Sequence, residues 1–415
     1  MKNKLFCIML CLIMAFTAAG CKSDQTTSDK SSSDKPITSS DSSSSDSEST
    51  SSADRVKDTV IKKEEWVAVS DDDTDGNSAS TPAASSRTIE LVIDDHPGVP
   101  GFNTYYNYKI YVDGRIVNKK EYNLTCNVPE VSFKDAQIVV PAAVKEKYNS
   151  ISVTASIVGD SLARDSYVIT FPRWEATLID EFEGNSLNSD IWALRPSWPA
   201  DKVRRSNPNN IIVKDGILTL QGTAEPWEGA PYSDCFIHTK DKFTQTYGMF
   251  TASVQVPKEG ASITAFWLLP NRGDWGSSYL YRNKGADSWI GEVDLLEFSP
   301  GWNNNYQATM HSWRGDGSRG GEGTLKRYFD SKITEGFHEY TAVWTENGFY
   351  CYYDGILTLS QVGIEATDNP AYIILDLELG KPENVDIKHW AGEFKLSELP
   401  IQAKFDYVKV YKQKK

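Results

Sequence analysis

The stretch Trp289-Ile290-Gly291-Glu292-Val293-Asp294-Leu295-Leu296-Glu297-Phe298 sets three carboxylates within six residues of an otherwise apolar run. Val, Ile, Trp and Phe around the acids suit a strand with buried neighbours. In a strand, residues i and i+2 share a face, so Glu292 and Asp294 point the same way. Glu297 lies three places beyond Asp294 and falls on the opposite face of a regular strand. One bulged residue, at Leu295 or Leu296, brings it back, leaving Val293 and a leucine for the core. Acids scattered along an exposed strand edge are the competing reading, and the apolar neighbours on both sides weigh against it.

The same pattern extends outward. Gly216 to Leu220, Tyr247 to Val254, Tyr340 to Trp344, Gly348 to Gly355 and Phe405 to Tyr411 all read as strand or strand and turn. No segment longer than about ten residues has a convincing helical period. Residues 174–413 are therefore expected to form one all-β domain, a large two-sheet sandwich. Upstream, Thr88-Ile93, Tyr105-Val112, Asp135-Val140, Ser150-Val158 and Ser166-Phe171 read as short strands between turn signals such as Pro97-Gly98 and Asp113-Gly114. Residues 87–172 are expected to form a small Ig-like β-sandwich. Tyr105, Tyr106, Tyr108 and Tyr111 offer either a sugar-stacking face or strand packing, and the second is preferred.

Residues 21–86 are dominated by Ser, Asp, Thr and Lys, and 13 of the 22 residues from Ser31 to Ser52 are Ser. Such a stretch buries too little apolar surface to offset its ordering entropy, and it reads as a disordered tether. Before it, Lys2 and Lys4 precede an uncharged run from Leu5 to Ala19, the pattern of a secretory signal. The end of that run, Thr17-Ala18-Ala19-Gly20-Cys21, resembles a bacterial lipoprotein signal, with 1–20 removed and Cys21 acylated. The expected location is the cell envelope, outside the cytoplasm, with the membrane touched through the lipid alone. Cys126, Cys235 and Cys351 remain; their spacing suggests neither a disulfide framework nor a metal site, and whether Cys235 and Cys351 pair is not readable.

The 415-residue chain has 12 Trp, 20 Tyr and 16 Phe, and a formal charge of −14. That charge argues against nucleic acid as a partner. Three acids on one face push their pKa values apart, which lets one carboxylate stay ionised while another keeps its proton. A retaining glycosidase requires two such groups about 5–5.5 Å apart. The α-carbons of Glu292 and Glu297 would be roughly 13 Å apart at about 3.3 Å for each of four effective steps, so the side chains must lean together.

Glu-x-Asp-x-x-Glu behind a Gly resembles the signature of glycoside hydrolase family 16 in its bulged, laminarinase-like form. Other landmarks occur in the family's order. They are Asp180-Glu181-Phe182 with Trp192, then Asp215-Gly216, then Ile237-His238-Thr239-Lys240 with Tyr247-Gly248-Met249-Phe250. Ala265-Phe266-Trp267 comes before the motif, and Phe337-His338-Glu339-Tyr340 and Asp406-Tyr407-Val408-Lys409 come after it. The resemblance implies an all-β, concanavalin A-like jelly roll with a cleft across its concave sheet, and endo-acting hydrolysis with retention. It implies that Glu292 is the nucleophile, that Glu297 is the general acid and then base, and that Asp294 hydrogen-bonds and tunes the nucleophile.

The resemblance also implies sugar contacts from Trp289, from Asn210 and from His311-Ser312-Trp313, with His311 near the acid/base. Trp267 reads equally as core or cleft. Trp198, Trp227, Trp275 and Trp302 fall in loops that suit cleft walls, and Arg314 to Gly323 suits a cleft-edge loop. Catalysis needs no cofactor. A structural calcium is implied at Glu181, Gly216 and Asp406, with Asp406 as a plain strand-end carboxylate the other reading. The family usually has Glu at Thr251 and Asn at Asp376. The expected partner is a polysaccharide and the expected state a monomer. Substrate remains open among β-1,3- or mixed-linkage β-1,3/1,4-glucan, an agarose- or carrageenan-type polysaccharide, and transglycosylation. A non-catalytic glucan-binding protein and an adhesin are the competing classes, both weakened by the presence of both Glu residues.

Overall fold

The structure, a computed structural model, describes residues 85–195, 204–271, 281–282, 288–314, 319–362, 365–366, 369–383 and 389–415. The leader, Cys21, residues 21–84 of the tether, Trp198 and Trp275 lie outside the described residues. So do the side chains of Trp289 and Trp313 and residues 315–318 of the expected Arg314–Gly323 loop, whose remaining residues are strand, Arg314 ending one strand and Arg319 to Gly323 opening the next.

Among the described residues from Ile89 to Thr170, two antiparallel sheets share one core. One holds Ile89–Ile93, Thr104–Val112, Gln137–Val140 and Ser132–Lys134, with Arg115–Ile116 on its edge. The other holds Tyr122–Cys126, Ser150–Ile157 and Asp160–Thr170. The alternation in Thr104–Val112 sends Tyr106, Ile110 and Val112 inward against Ile138, Val140, Ile151 and Val153. That alternation also splits the tyrosines. Tyr106 is fully buried, Tyr108 packs edge-on against Tyr122, and Tyr105 is exposed, so they form no common platform. Tyr122–Cys126, Ser132–Lys134 and the short helix Ala142–Lys147 were not legible in the pattern.

From Trp174 onward, two larger sheets pack face to face. The outer sheet runs Ile211–Lys214, Ile217–Gly222, Ile401–Gln413, Gly248–Gln255, His338–Thr345, Gly348–Tyr353 and Ile356–Val362. Trp174–Asp180 adds to Ile401–Gln413. The cleft-bearing sheet runs Ala193–Leu194, Tyr232–His238, Ala371–Leu379, Ser262–Pro270 and then Ser288–Phe298, the motif strand. Asn305–Arg314 and Arg319–Phe329 follow beyond it. Phe250, Tyr340, Trp344 and Phe349 from the first sheet meet Phe266, Val293, Leu295, Leu296, Phe298 and Tyr306 from the second, all buried. Each such large side chain contributes about 1.5–3 kcal/mol. The result is the all-β two-sheet sandwich expected from the sequence.

A second apolar patch lies on the back of the outer sheet. Val99, from the upstream sandwich, packs with Met249, Val343, Tyr350 and Tyr352. Tyr352 Oη accepts a hydrogen bond from Gly98 N at 3.1 Å and lies 3.1 Å from His96 Nδ1. Gly355, with φ of +76°, ends the next turn; a side chain there would run into Phe102.

Candidate active site

The motif strand is antiparallel to both neighbours, and its irregularities decide where the acids point. Against Ser262–Pro270, Leu296 pairs with Phe266 and Asp294 with Trp267, so Leu295 is the extra residue. Against Asn305–Arg314, Asp294 pairs with Thr309 and Glu297 with Gln307, across the same bulge. The bulge is therefore at Leu295. Leu295 and Leu296 are both buried, while Glu292, Asp294 and Glu297 all line one cleft of about 460 Å³. A second irregularity, at Gly291, was not anticipated: Ile290 pairs with Ser312 and Glu292 with His311. It changes the expected place of Trp289. Plain alternation sets position 289 on the face opposite Glu292, whereas the observed register sets it opposite position 313, two places along from His311.

The three acids sit in different surroundings. Asp294 is 2% exposed, and His311 Nε2 lies 2.9 Å from its Oδ2 and 3.7 Å from Glu292 Oε1. Glu297 is partly exposed, and its Oε2 accepts hydrogen bonds from Gln307 Nε2 at 2.9 Å and Thr309 Oγ1 at 3.0 Å. His311 thus contacts the Glu292–Asp294 end of the site rather than Glu297, which corrects its expected place beside the acid/base. The cause is register, because His311 is the cross-strand partner of Glu292. Glu292, Asp294 and His311 offer donor atoms within 4.8 Å of one another, close enough to hold a cation.

The cleft floor is built by the next strands. Trp267 stands between Asp294 and Ile374, and Ala265 between Glu297 and Asp376. Trp267 is both core and cleft: it is mostly buried, lines the cleft, and donates its Nε1 proton to Asp376 Oδ1 at 2.7 Å. Burial pushes Asp376 well above the usual carboxylate range, and the charge of Glu378 adds to that. Glu378 Oε1 is 3.0 Å from His389 Nε2, while His389 Nδ1 accepts from Ala391 N, so the Nε2 proton points at the carboxylate. Arg195 lies 5.5 Å from the ring centres of both Phe236 and Trp267. Trp390, half exposed, closes one edge and packs on Trp302 at 5.7 Å between ring centres. Of these wall groups, the sequence reading had put only Trp267 and Trp302 at the site.

Asn210 is not at the cleft. It is fully buried at the end of a short 3-10 turn, where its Nδ2 donates to Ser233 Oγ and Asp234 O and its Oδ1 accepts from Thr223. Its amide closes a scaffold turn, so it has no surface to offer a sugar. Cys235 and Cys351 are buried free thiols on different sheets and are not bridged.

The positions implied for calcium lie next to one another along the outer sheet. Val408 pairs with Asp180 and Phe405 with Leu218, which sets Asp406 between Glu181 and the Gly216 turn. Glu181 O and Glu183 Oε1 flank Gly216. Carbonyl and carboxylate oxygens are the donors calcium takes. The Glu181 carboxylate itself is turned to Lys409 at 2.8 Å, and Asp406 Oδ2 lies 3.4 Å from Ser253 Oγ.

The family model described as "Glycosyl hydrolases family 16" matches residues 200–409, just over half of the chain. An endo-1,3-1,4-beta-glycanase, EglC, of Rhizobium meliloti is 27% identical over 228 residues, 53% of this chain and 42% of that protein. A beta-glucanase of Rhodothermus marinus is 24% identical over 279 residues, 62% of this chain and 91% of that one. The chain thus spans less than half of the first relative and most of the second. The crystallographic laminarinase of Rhodothermus marinus superposes with a TM-score of 0.49 at 23% identity, covering 59% of this chain and 99% of that one.

Proposed function

The chain belongs to glycosyl hydrolase family 16, and on that premise we propose that it is an endo-acting, retaining hydrolase of β-1,3- or mixed-linkage β-1,3/1,4-glucan. The observation that carries the reading is the Leu295 bulge, which turns Glu292, Asp294 and Glu297 into one cleft. Relatives named for endo-1,3-1,4-β-glycanase and β-glucanase activity support the substrate class.

Two displacements account for the reaction. In the first, the Glu292 carboxylate attacks the anomeric carbon while Glu297 gives its proton to the departing glycosidic oxygen. Among the described residues, Glu297 Oε2 accepts two hydrogen bonds and Oε1 none. Oε1 is therefore the oxygen from which the proton is given. In the second step the Glu297 carboxylate removes a proton from water, the water attacks the same carbon, and Glu292 is freed. Asp294 stands beside the nucleophile on the same face of the motif strand, and His311 Nε2 lies close to both. Trp267 supplies an aromatic floor, and the Trp390–Trp302 pair an aromatic edge.

The described cleft lining carries five carboxyl groups, Glu292, Asp294, Glu297, Asp376 and Glu378, against one cation, Arg195. With Glu297 and Asp376 carrying protons, three carboxylates still face one cation, and a wall of that sign repels sulfate groups, which supports a neutral glucan over a carrageenan-type substrate. A structural calcium held by Asp406 with backbone oxygens of Glu181 and Gly216 would tie the closing strand to the opening one; it takes no part in the reaction. The lysine-led apolar run and the small residues before Cys21 support a lipid-anchored enzyme carried outside the cytoplasm on the 21–86 tether.

The test is release of oligosaccharides from laminarin, mixed-linkage β-glucan and agarose, with Glu292→Gln in parallel. Release from a β-glucan that disappears in the variant is expected. Clean binding with no release from any of the three would replace the hydrolase with a binding protein.

A further inference from the structure

We propose that Asp376 is a substrate-binding residue that works as a neutral carboxylic acid, donating a hydrogen bond to an oxygen of the sugar lying over Ala265. The inference rests on the glucanase reading and deepens it.

The geometry begins with the register. Phe236, Asp376, Ala265 and Glu297 form one row across four adjacent strands. Neighbouring strands are about 4.8 Å apart, so the backbones bearing Asp376 and Glu297 stand roughly 10 Å apart. Only the methyl group of Ala265 lies between them in the row. That leaves a hollow in the cleft floor with Glu297 on one side and Asp376 on the other. Both acids and Ala265 line the same cleft.

The surroundings of Asp376 decide its protonation. It is 2% exposed, and its Oδ1 accepts from the neutral Trp267 indole. The charged groups acting on it are Glu378, two places along its own strand, Asp234 on the adjacent Tyr232–His238 strand, and Arg195. Glu297 faces it across the row. The acids outnumber the single cation, and burial disfavours the ionised form further. The carboxyl therefore keeps its proton, and with Oδ1 taken by Trp267 the proton resides on Oδ2. An ionised carboxylate can only accept, whereas a neutral acid donates. Pushing a carboxyl into an apolar site so that it can donate at neutral pH is a known use of burial. Sugar hydroxyl and ring oxygens are natural acceptors.

Two measurements test this. Infrared difference spectra between wild type and Asp376→Asn, without ligand at pH 7, should show a protonated-carboxyl band present only in wild type. In the inactive Glu292→Gln background, a laminari-oligosaccharide should shift that band. In the same background Asp376→Asn, which keeps a donor, should bind the oligosaccharide within about threefold of the parent, while Asp376→Leu should bind about tenfold or more weakly. No band difference, or equal binding by the Leu variant, overturns the proposal. The ligand-free spectrum needs no substrate, so it stands or falls apart from the glucanase reading.

Discussion

His311 Nε2 stands 2.9 Å from Asp294 Oδ2 and 3.7 Å from Glu292 Oε1, so one imidazole spans both acids at the head of the motif. The pairing follows from the Gly291 irregularity, which sets His311 opposite Glu292. Replacing His311 with Ala removes the imidazole that stands 2.9 Å from the almost fully buried Asp294. A close polar contact with a buried charged group is worth up to about 1.5–3 kcal/mol, or a factor of about 10 to 150 in rate. The expected result is a fall of that size in kcat on a soluble β-glucan, with KM changed less. A variant as fast as wild type would remove His311 from the account.

Deleting Leu295 should leave the acids in place. With that residue gone, Glu292, Asp294 and Glu297 become i, i+2 and i+4 of a regular strand and share a face. The loss is a buried leucine, at about 2–5 kcal/mol by analogy with large-to-small core substitutions. Urea unfolding should register that cost, while the folded fraction keeps measurable hydrolysis. Wild-type stability with no hydrolysis would mean that the bulge does something other than turn Glu297.

The upstream sandwich should contribute to the stability of the hydrolase sheets through Tyr352. His96 Nε2 is 3.3 Å from Tyr105 O and its Nδ1 is 3.1 Å from Tyr352 Oη, an arrangement that suits the neutral ring. Burial lowers the His96 pKa below its ordinary 6.5. The unfolded chain therefore takes up a proton first as pH falls. Stability from this group is full above about pH 6.5 and declines as pH drops toward the lowered value. The midpoint of thermal unfolding should fall with acidity over that window in wild type and less steeply in His96→Gln. Tyr352→Phe should cost about 1 kcal/mol at neutral pH. Parallel pH profiles for wild type and His96→Gln would contradict the coupling.

The parts of this fold that alternation encodes were readable before any coordinates. The motif strand, the need for one bulge in it, and the strands at Ile89–Ile93 and Gly348–Tyr353 all follow from local periodicity. The second irregularity, at Gly291, was not readable, because a glycine before an acid carries no mark of its cross-strand partner. Nor were the cleft walls. Asp376 meets Trp267 from 109 positions away, and that meeting exists only through the pairing of Ala371–Leu379 with Ser262–Pro270. Arg195 and Trp390 reach the cleft from equally distant segments. Asn210 misled for the opposite reason: a loop asparagine reads as available, and only the contacts of Ser233, Asp234 and Thr223 reveal that its amide is already used.

The central claim, that Glu292 is the nucleophile and Glu297 the acid/base of a retaining reaction, is tested most directly by supplying azide to Glu292→Ala and Glu297→Ala. An activated β-glucoside with a good leaving group serves as substrate. With Glu292 gone, azide attacks the anomeric carbon directly from the vacated side, and the account predicts an α-glycosyl azide. With Glu297 gone, azide meets the glycosyl ester on Glu292 and should give a β-glycosyl azide. The reverse pairing of anomers would exchange the two roles, and rescue of neither variant would contradict the double displacement.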